Sequence, residues 1–126
     1  MKTVKRELSP RYKKDKIESF LLVSSKTTNS KNLCVTVVEM KPDGFQNIHS
    51  HKSEQVYYIL EGEEIMTVGV NEHVVKAGDC IFIPSQTKHG LKNTNETILK
   101  YISAASPSFT VKECEEFWPL ASISEQ

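Results

Sequence analysis

The sequence predicts an all-β protein, on three observations. Apolar and β-branched runs recur at short intervals: Phe20 to Val23, Leu33 to Val38, Val56 to Leu60, Ile65 to Val70, His73 to Val75, Cys80 to Ile83 and Thr97 to Ile102. The breaks between them carry turn chemistry, as in Pro42-Asp43-Gly44, Glu61-Gly62-Glu63, Val70-Asn71-Glu72, Ala77-Gly78-Asp79 and Lys92 to Glu96. Finally, 126 residues with 38% hydrophobic content suit one core, large enough to be stable without disulfides or a structural metal. Many short strands at this spacing favour a closed or sandwiched antiparallel architecture, because an open sheet would leave long edges and an uncovered apolar face.

In chain order, Met1 to Lys16 holds seven bases against two acids and has no apolar periodicity, so it reads as an arm ordered only by packing. Lys26 to Asn32 is polar and reads as a loop. The strand runs then follow one another to Ile102 without an internal repeat or linker. Near the end, Thr110-Val111-Lys112-Glu113 matches a capping box, and Val111, Cys114 and Phe117 lie three apart, which predicts a short helix over Val111 to Trp118, stopped by Pro119. Its apolar side is expected to cover the core or act as a lid. The tail from Lys112 carries one base against four acids, so the two ends of the chain have opposite sign and are expected to be solvated or to pair within or between chains.

Composition excludes several functions. Lys plus Arg balance Asp plus Glu at 16 each, so there is no basic footprint for nucleic acid. No apolar run approaches the ~18 residues of a membrane span, and the charged start lacks the apolar region of a secretory signal, which makes the cytoplasm the expected compartment. Cys34, Cys80 and Cys114 sit in apolar surroundings without C-x-x-C spacing and are expected to be buried, reduced thiols. There is no G-x-S-x-G elbow, Walker loop or H-E-x-x-H helix, so any catalysis is expected to be metal-centred.

The informative stretch begins at His49-Ser50-His51. Residues two apart in an extended strand point to the same face, so both imidazoles can reach one ion at ~2.0 to 2.1 Å. An isolated H-x-H is a weak signal. Here it belongs to a wider pattern of Gly44, His49, His51, Gln55 and Gly62 in GFQNIHSHKSEQVYYILEG, then Gly78, Pro84, His89 and Asn93 in GDCIFIPSQTKHGLKN. These two segments resemble the two motifs of the cupin superfamily, with three departures. The spacer after Gly44 is one residue short, Gln55 stands where the family has Glu, and Gln86 stands where it has Gly.

The resemblance implies a double-stranded β-helix, the cupin jelly-roll barrel, in a single domain over residues 1–126, with a barrel core at about 33–104, an N-terminal arm and a short C-terminal helix. It also implies a divalent transition metal (Mn, Fe, Co, Ni, Cu or Zn) held by His49, His51 and His89 with Gln55 as fourth ligand, a small-molecule ligand or substrate, and a homodimer. Three imidazoles and one oxygen leave coordination positions open, as a reactive site requires, whereas a structural zinc would close its shell with thiolates that these cysteines are not spaced to supply.

An amide at the Glu position removes a negative charge, which makes the ion the stronger Lewis acid and holds it less tightly. The alternative is that Gln55 binds only a water, or that a one-residue slip turns Glu54 inward; the slip would also move Val56 and Tyr58 between faces. With Gln55 inward, Tyr57 shares its face and is the candidate acid catalyst, or else simple pocket lining. His73 falls outside both motifs and is expected at the surface.

The expected function is a metal-dependent enzyme of dioxygenase or isomerase/lyase type acting on a small oxygen-rich substrate. A non-catalytic cupin that binds or senses a sugar or small acid is the alternative, and an accessory cupin with an incidental metal is a third. The Gln also resembles that of small cupins that help linearise unsaturated uronates from pectin. Those carry an acid, an aromatic and an arginine where Lys100, Ile102 and Ser106 stand here, which gives that activity low weight.

Overall fold

A computed structural model describes residues 1–110 together with Lys112 and Glu113. The ten strands are β1 (Arg11–Lys14), β2 (Ile17–Val23), β3 (Cys34–Met40), β4 (Phe45–His49), β5 (Glu54–Glu61), β6 (Glu63–Val68), β7 (Asn71–Lys76), β8 (Cys80–Ile83), β9 (His89–Lys92) and β10 (Leu99–Ser106). They form a six-stranded sheet in the order β1-β2-β3-β10-β5-β8 and a four-stranded sheet in the order β4-β9-β6-β7. Every pair is antiparallel, so the all-β jelly-roll expectation holds. No helix among the described residues is long and apolar enough to cross a membrane.

Strand alternation decides what lines the interior. Buried and half-buried positions alternate along β3 and β10, sending Cys34, Thr36, Val38 and Met40 inward opposite Ala105, Ser103, Tyr101 and Leu99. One part of the interior is apolar, with Val38, Met40, Ile59, Met66, Ile83, Leu91 and Leu99 in contact. Complete burial of Ile59, Ile83 and Leu99 contributes about 1.5 to 3 kcal/mol each. The inward positions near the ends of β4, β5 and β9 are instead polar: His49, Gln55 and His89.

The motif residues without metal chemistry turn out to be geometric. Gly62 joins β5 to β6 at φ +91°, and a Cβ there would lie 2.8 Å from the Ile98 carbonyl oxygen, so a side chain is excluded twice over. Asn93, fully buried, donates its amide to the carbonyls of Met40 and Thr97 and so ties the end of β3 to the β9–β10 connection. Gln86 adopts φ +61°, the left-handed conformation that the family's glycine takes without strain. Its N–H donates to the His51 carbonyl at 2.8 Å, so the departure keeps the backbone contact that positions a candidate ligand.

Three expectations need correction or limits. The N-terminal segment is more than a packed arm: Arg6–Leu8 forms a 3-10 turn, and β1 pairs with β2. Arg6 pairs with Glu39 and Arg11 with Glu18, while both guanidinia lie about 5 Å over the Phe20 ring, at 4.9 and 5.0 Å. Cation–ring and ionic contacts therefore stabilise a strand with no apolar pattern. Cys34 is buried with a free thiol, but Cys80 is exposed, because alternation along β8 sends it outward with Phe82. The Thr110–Glu113 capping box forms reciprocally, with the Thr110 N–H bound to Glu113 Oε1 and the Glu113 N–H to Thr110 Oγ1. The rest of the helix expected over Val111 to Trp118, and Cys114, lie outside the described residues.

Candidate metal centre

The two motifs meet where β4 pairs with β9. His49 ends β4 directly opposite His89, the first residue of β9, and His51 follows two residues beyond the strand. The ring centroids of His49 and His89 are 4.3 Å apart, those of His51 and His89 4.8 Å, and those of His49 and His51 5.7 Å. One ligand atom from each of the three lies within 4.8 Å of the others.

Local backbone selects the tautomers. Each Nδ1 sits against a carbonyl two residues away: His49 with Asn47 at 2.8 Å, His51 with Ser53 at 2.9 Å and His89 with Thr87 at 2.9 Å. A neutral imidazole that donates from Nδ1 carries its lone pair on Nε2, the nitrogen left for a cation. Burial lowers the His49 pKa and pushes that of His89 down to about 4, with backbone contacts opposing and neighbouring imidazoles adding to the effect. Both therefore stay neutral at physiological pH, as ligation requires.

Two observations test whether these residues fit an ion. His89 Nε2 is buried and has no hydrogen-bond partner among the described residues, a cost in a folded protein unless something else occupies its lone pair. Gln55 is buried on β5 with Oε1 2.9 Å from His51 Nε2. With Nδ1–H directed at Ser53, that contact sets two lone-pair atoms side by side, an arrangement satisfied by a shared cation. The Gln55 amide nitrogen donates to Ser103 Oγ at 2.6 Å, which fixes the direction of its oxygen. The donor set of three imidazoles and one amide oxygen thus fits a divalent transition ion. Glu54 is exposed, so Gln55 and not Glu54 faces the interior.

Tyr57 also faces inward and is 2% exposed. Its ring stacks on Tyr101 at 4.5 Å and meets His89 edge-on at 6.3 Å, and its hydroxyl donates to Gln46 Oε1 at 3.1 Å. Burial, and then the nearby Glu64, push its pKa upward, so it is a neutral hydrogen-bond donor. His73 is on exposed β7, away from the triad.

The sequence reading missed Gln46, Ser103 and Phe109. Phe109 closes one side of the centre with its ring 5.1 Å from that of His51. Alternation from Tyr101 was the available signal for Ser103. It also shows that Lys100, Ile102 and Ser106 have the wrong parity for the interior: Lys100 pairs with Glu39 and Glu61 outside, whereas Tyr101, Ser103 and Ala105 point in.

The centre opens into a cavity of about 750 Å³ that reaches from His49, His51 and Gln55 to the β1–β2 hairpin.

A model of the cupin domain matches residues 36–105. An uncharacterized protein of Methanocaldococcus jannaschii is 38% identical over 69 residues, which cover 54% of this chain and about half, 55%, of that protein. An oxalate-binding protein of Thermotoga maritima is 29% identical over 91 residues, covering 71% of this chain and 75% of its own. Among solved structures, a Thermotoga maritima protein described as a predicted oxalate decarboxylase superposes with a TM-score of 0.73 at 25% identity, over 84% of this chain and 99% of that one.

Proposed function

The chain belongs to the cupin family, and on that premise we propose that it is a metal-dependent enzyme of dioxygenase or isomerase/lyase type acting on a small oxygen-rich substrate. The observation that carries this reading is the convergence of one ligand atom from each of three imidazoles, with His89 Nε2 buried and without a partner among the described residues, beside the Gln55 oxygen. A divalent ion bound there would supply Lewis acidity and a template for chelating oxygens. His49, His51, His89 and Gln55 would hold it, and Ser103 orients the amide. Tyr57, kept protonated, holds Gln46 at the cavity wall and is the phenol that packs against His89, from where it would donate a proton toward a bound ligand. A second reading, binding without turnover, is favoured by the oxalate-binding relative.

Elemental analysis of protein purified without added metal is expected to find about one transition ion per chain. Failure to hold or take up Mn, Fe, Co, Ni, Cu or Zn would remove the basis of the reading. Turnover of a chelating substrate by the loaded protein separates the enzyme from the binding module.

The Gln55 amide sets a further expectation. Gln55→Glu should fold normally, because Ser103 can donate its hydroxyl proton to the new carboxylate, and should tighten metal binding roughly tenfold by placing a charge in the shell. Gln55→Ala should weaken it. Equal affinity in all three forms, measured by chelator competition, would show that Gln55 is not a ligand.

The proposal includes a homodimer in the cytoplasm. Pairing of oppositely charged ends supports it less than expected, since Arg6 and Arg11 are engaged within the chain. Better support comes from the outer face of β5 and β8, where Val56 lies opposite Phe82, and Tyr58 and Phe82 are 45% and 55% exposed. Light scattering should give twice 14.3 kDa, falling to the single-chain value in Tyr58→Lys/Phe82→Lys. A single-chain mass for the unaltered protein would sink the dimer.

A further inference from the structure

We propose that the ligand of this site is an elongated anion, chelated to the ion at one end and held at the other by Lys14 on the β1–β2 hairpin. The inference rests on the metal-binding reading above and adds to it the class of ligand and a residue that selects it.

Size and length argue first. A cavity of about 750 Å³ falls within the range of clefts, roughly 300 to 1,000 Å³, that enclose drug-sized molecules, and a two-carbon diacid would leave most of it to water. The cavity is also long. Tyr12, Lys14 and Lys16 line it together with His49 and His51. The hairpin is anchored at the β3–β4 connection, just before β4 begins, where the Lys41 N–H donates to the Lys16 carbonyl at 2.8 Å and Lys16 Nζ lies 4.0 Å from Asp43 Oδ2. From Phe45 to His49 the strand advances about 13 Å, so the lysine end and the imidazole end stand on the order of a nanometre apart. Toward the imidazole end the inner face carries hydroxyls, with Thr36 directly opposite Ser103, and toward the hairpin it is lined by Ile17, Val38 and Met40.

Charge argues second. Three neutral imidazoles and an amide bring no negative charge to a divalent ion, so neutralisation falls to the ligand. Among the described residues, the carboxylates on the cavity wall are Asp15 and Asp43, both at the hairpin end. Asp43 faces Lys16, and Lys14 and Asp15 are both exposed beside the turn, with no carboxylate within ion-pair distance of Lys14 among the described residues. The wall therefore offers a dication at one end and the Lys14 ammonium at the other. Tyr12 shares the inner face of β1 with Lys14 and adds a phenol beside it.

Isothermal titration of the Ni²⁺-loaded full chain tests the assignment with two series of alkyl hydroxamates of matched length, one ending in a carboxylate and the other in a methyl group. The hydroxamate supplies the chelating end in both. At the chain length that spans the cavity, the carboxylate form should bind about tenfold tighter, a difference of about 1.4 kcal/mol. Lys14→Gln should abolish that preference, leaving Ni²⁺ affinity and the methyl series unchanged, and Lys14→Arg should retain it. Equal affinity of the two series at every length, or a preference that survives Lys14→Gln, would overturn the proposal while the metal reading stands. Absence of Ni²⁺ binding would defeat the metal reading itself and this inference with it.

Discussion

His89→Ala is expected to lower metal affinity by a hundredfold or more. Removing an outer hydrogen bond to a metal ligand typically costs about 10- to 100-fold, and loss of a ligand exceeds that. His89 carries the largest expectation because it is fully buried at the start of β9, opposite His49, and its Nε2 has no hydrogen-bond partner among the described residues to release. The truncated site would leave a cavity costing a few kcal/mol, so His89→Gln, which keeps most of the volume, and His49→Ala, on the half-buried rim, serve as companions. All three should weaken binding in chelator competition while retaining the β-rich circular dichroism of the parent. Retention of full affinity in the three variants would dismantle the triad.

The same residue gives the acid limb its sign. Its pKa in the folded protein lies near 4, below the usual 6.5, because burial opposes the charged ring. The folded state therefore binds fewer protons than the unfolded one between those values. Stability is present above about 6.5 and is lost as pH falls through about 4. At His89, protons are expected to compete with a bound metal near pH 4 and not near pH 6.

The site was legible because its chemistry is written at short range. His49-Ser50-His51 and Pro84 to Asn93 lie on contiguous segments, and rare residue types at fixed spacing survive without knowledge of the pairing. Ser103 and Gln46 are ordinary residues whose importance exists only across strands: Ser103 orients the Gln55 amide through a hydrogen bond spanning 48 positions. The apolar run that marks the last strand ends at Ile102, one residue short of Ser103. Strand β9 escaped because His89-Gly90-Leu91-Lys92 has no β-branched run, and Gly90 is there for space, since a Cβ would meet the Gln46 carbonyl at 2.8 Å. Strand β1 escaped because its partners are two arginines and the Phe20 ring, contacts invisible to hydrophobic periodicity. Cys80 shows the converse error, where apolar neighbours in sequence said nothing about which face of β8 the thiol takes.

Glu64→Gln is expected to stabilise the protein at neutral and alkaline pH by roughly 2 kcal/mol or more. Glu64 lies on the inner face of β6 with Met66, opposite Val75 on β7, and is fully buried. Neither carboxyl oxygen has a hydrogen-bond partner among the described residues. Burial raises its pKa to about 8, so the interior holds a neutral acid where a carboxylate would be too costly. Unfolding returns it to an ordinary carboxylate with a pKa of 4.5. Between these values the folded state holds one more proton than the unfolded state, and stability falls as pH rises, by about 1.4 kcal/mol per unit until the folded group itself ionises. The amide keeps the shape, loses the titration and removes that slope. Urea midpoints should therefore coincide near pH 4.5 and separate progressively toward pH 8, with the variant the more stable. Parallel curves across that range would mean that Glu64 ionises like an exposed carboxylate and that the folded interior admits its charge.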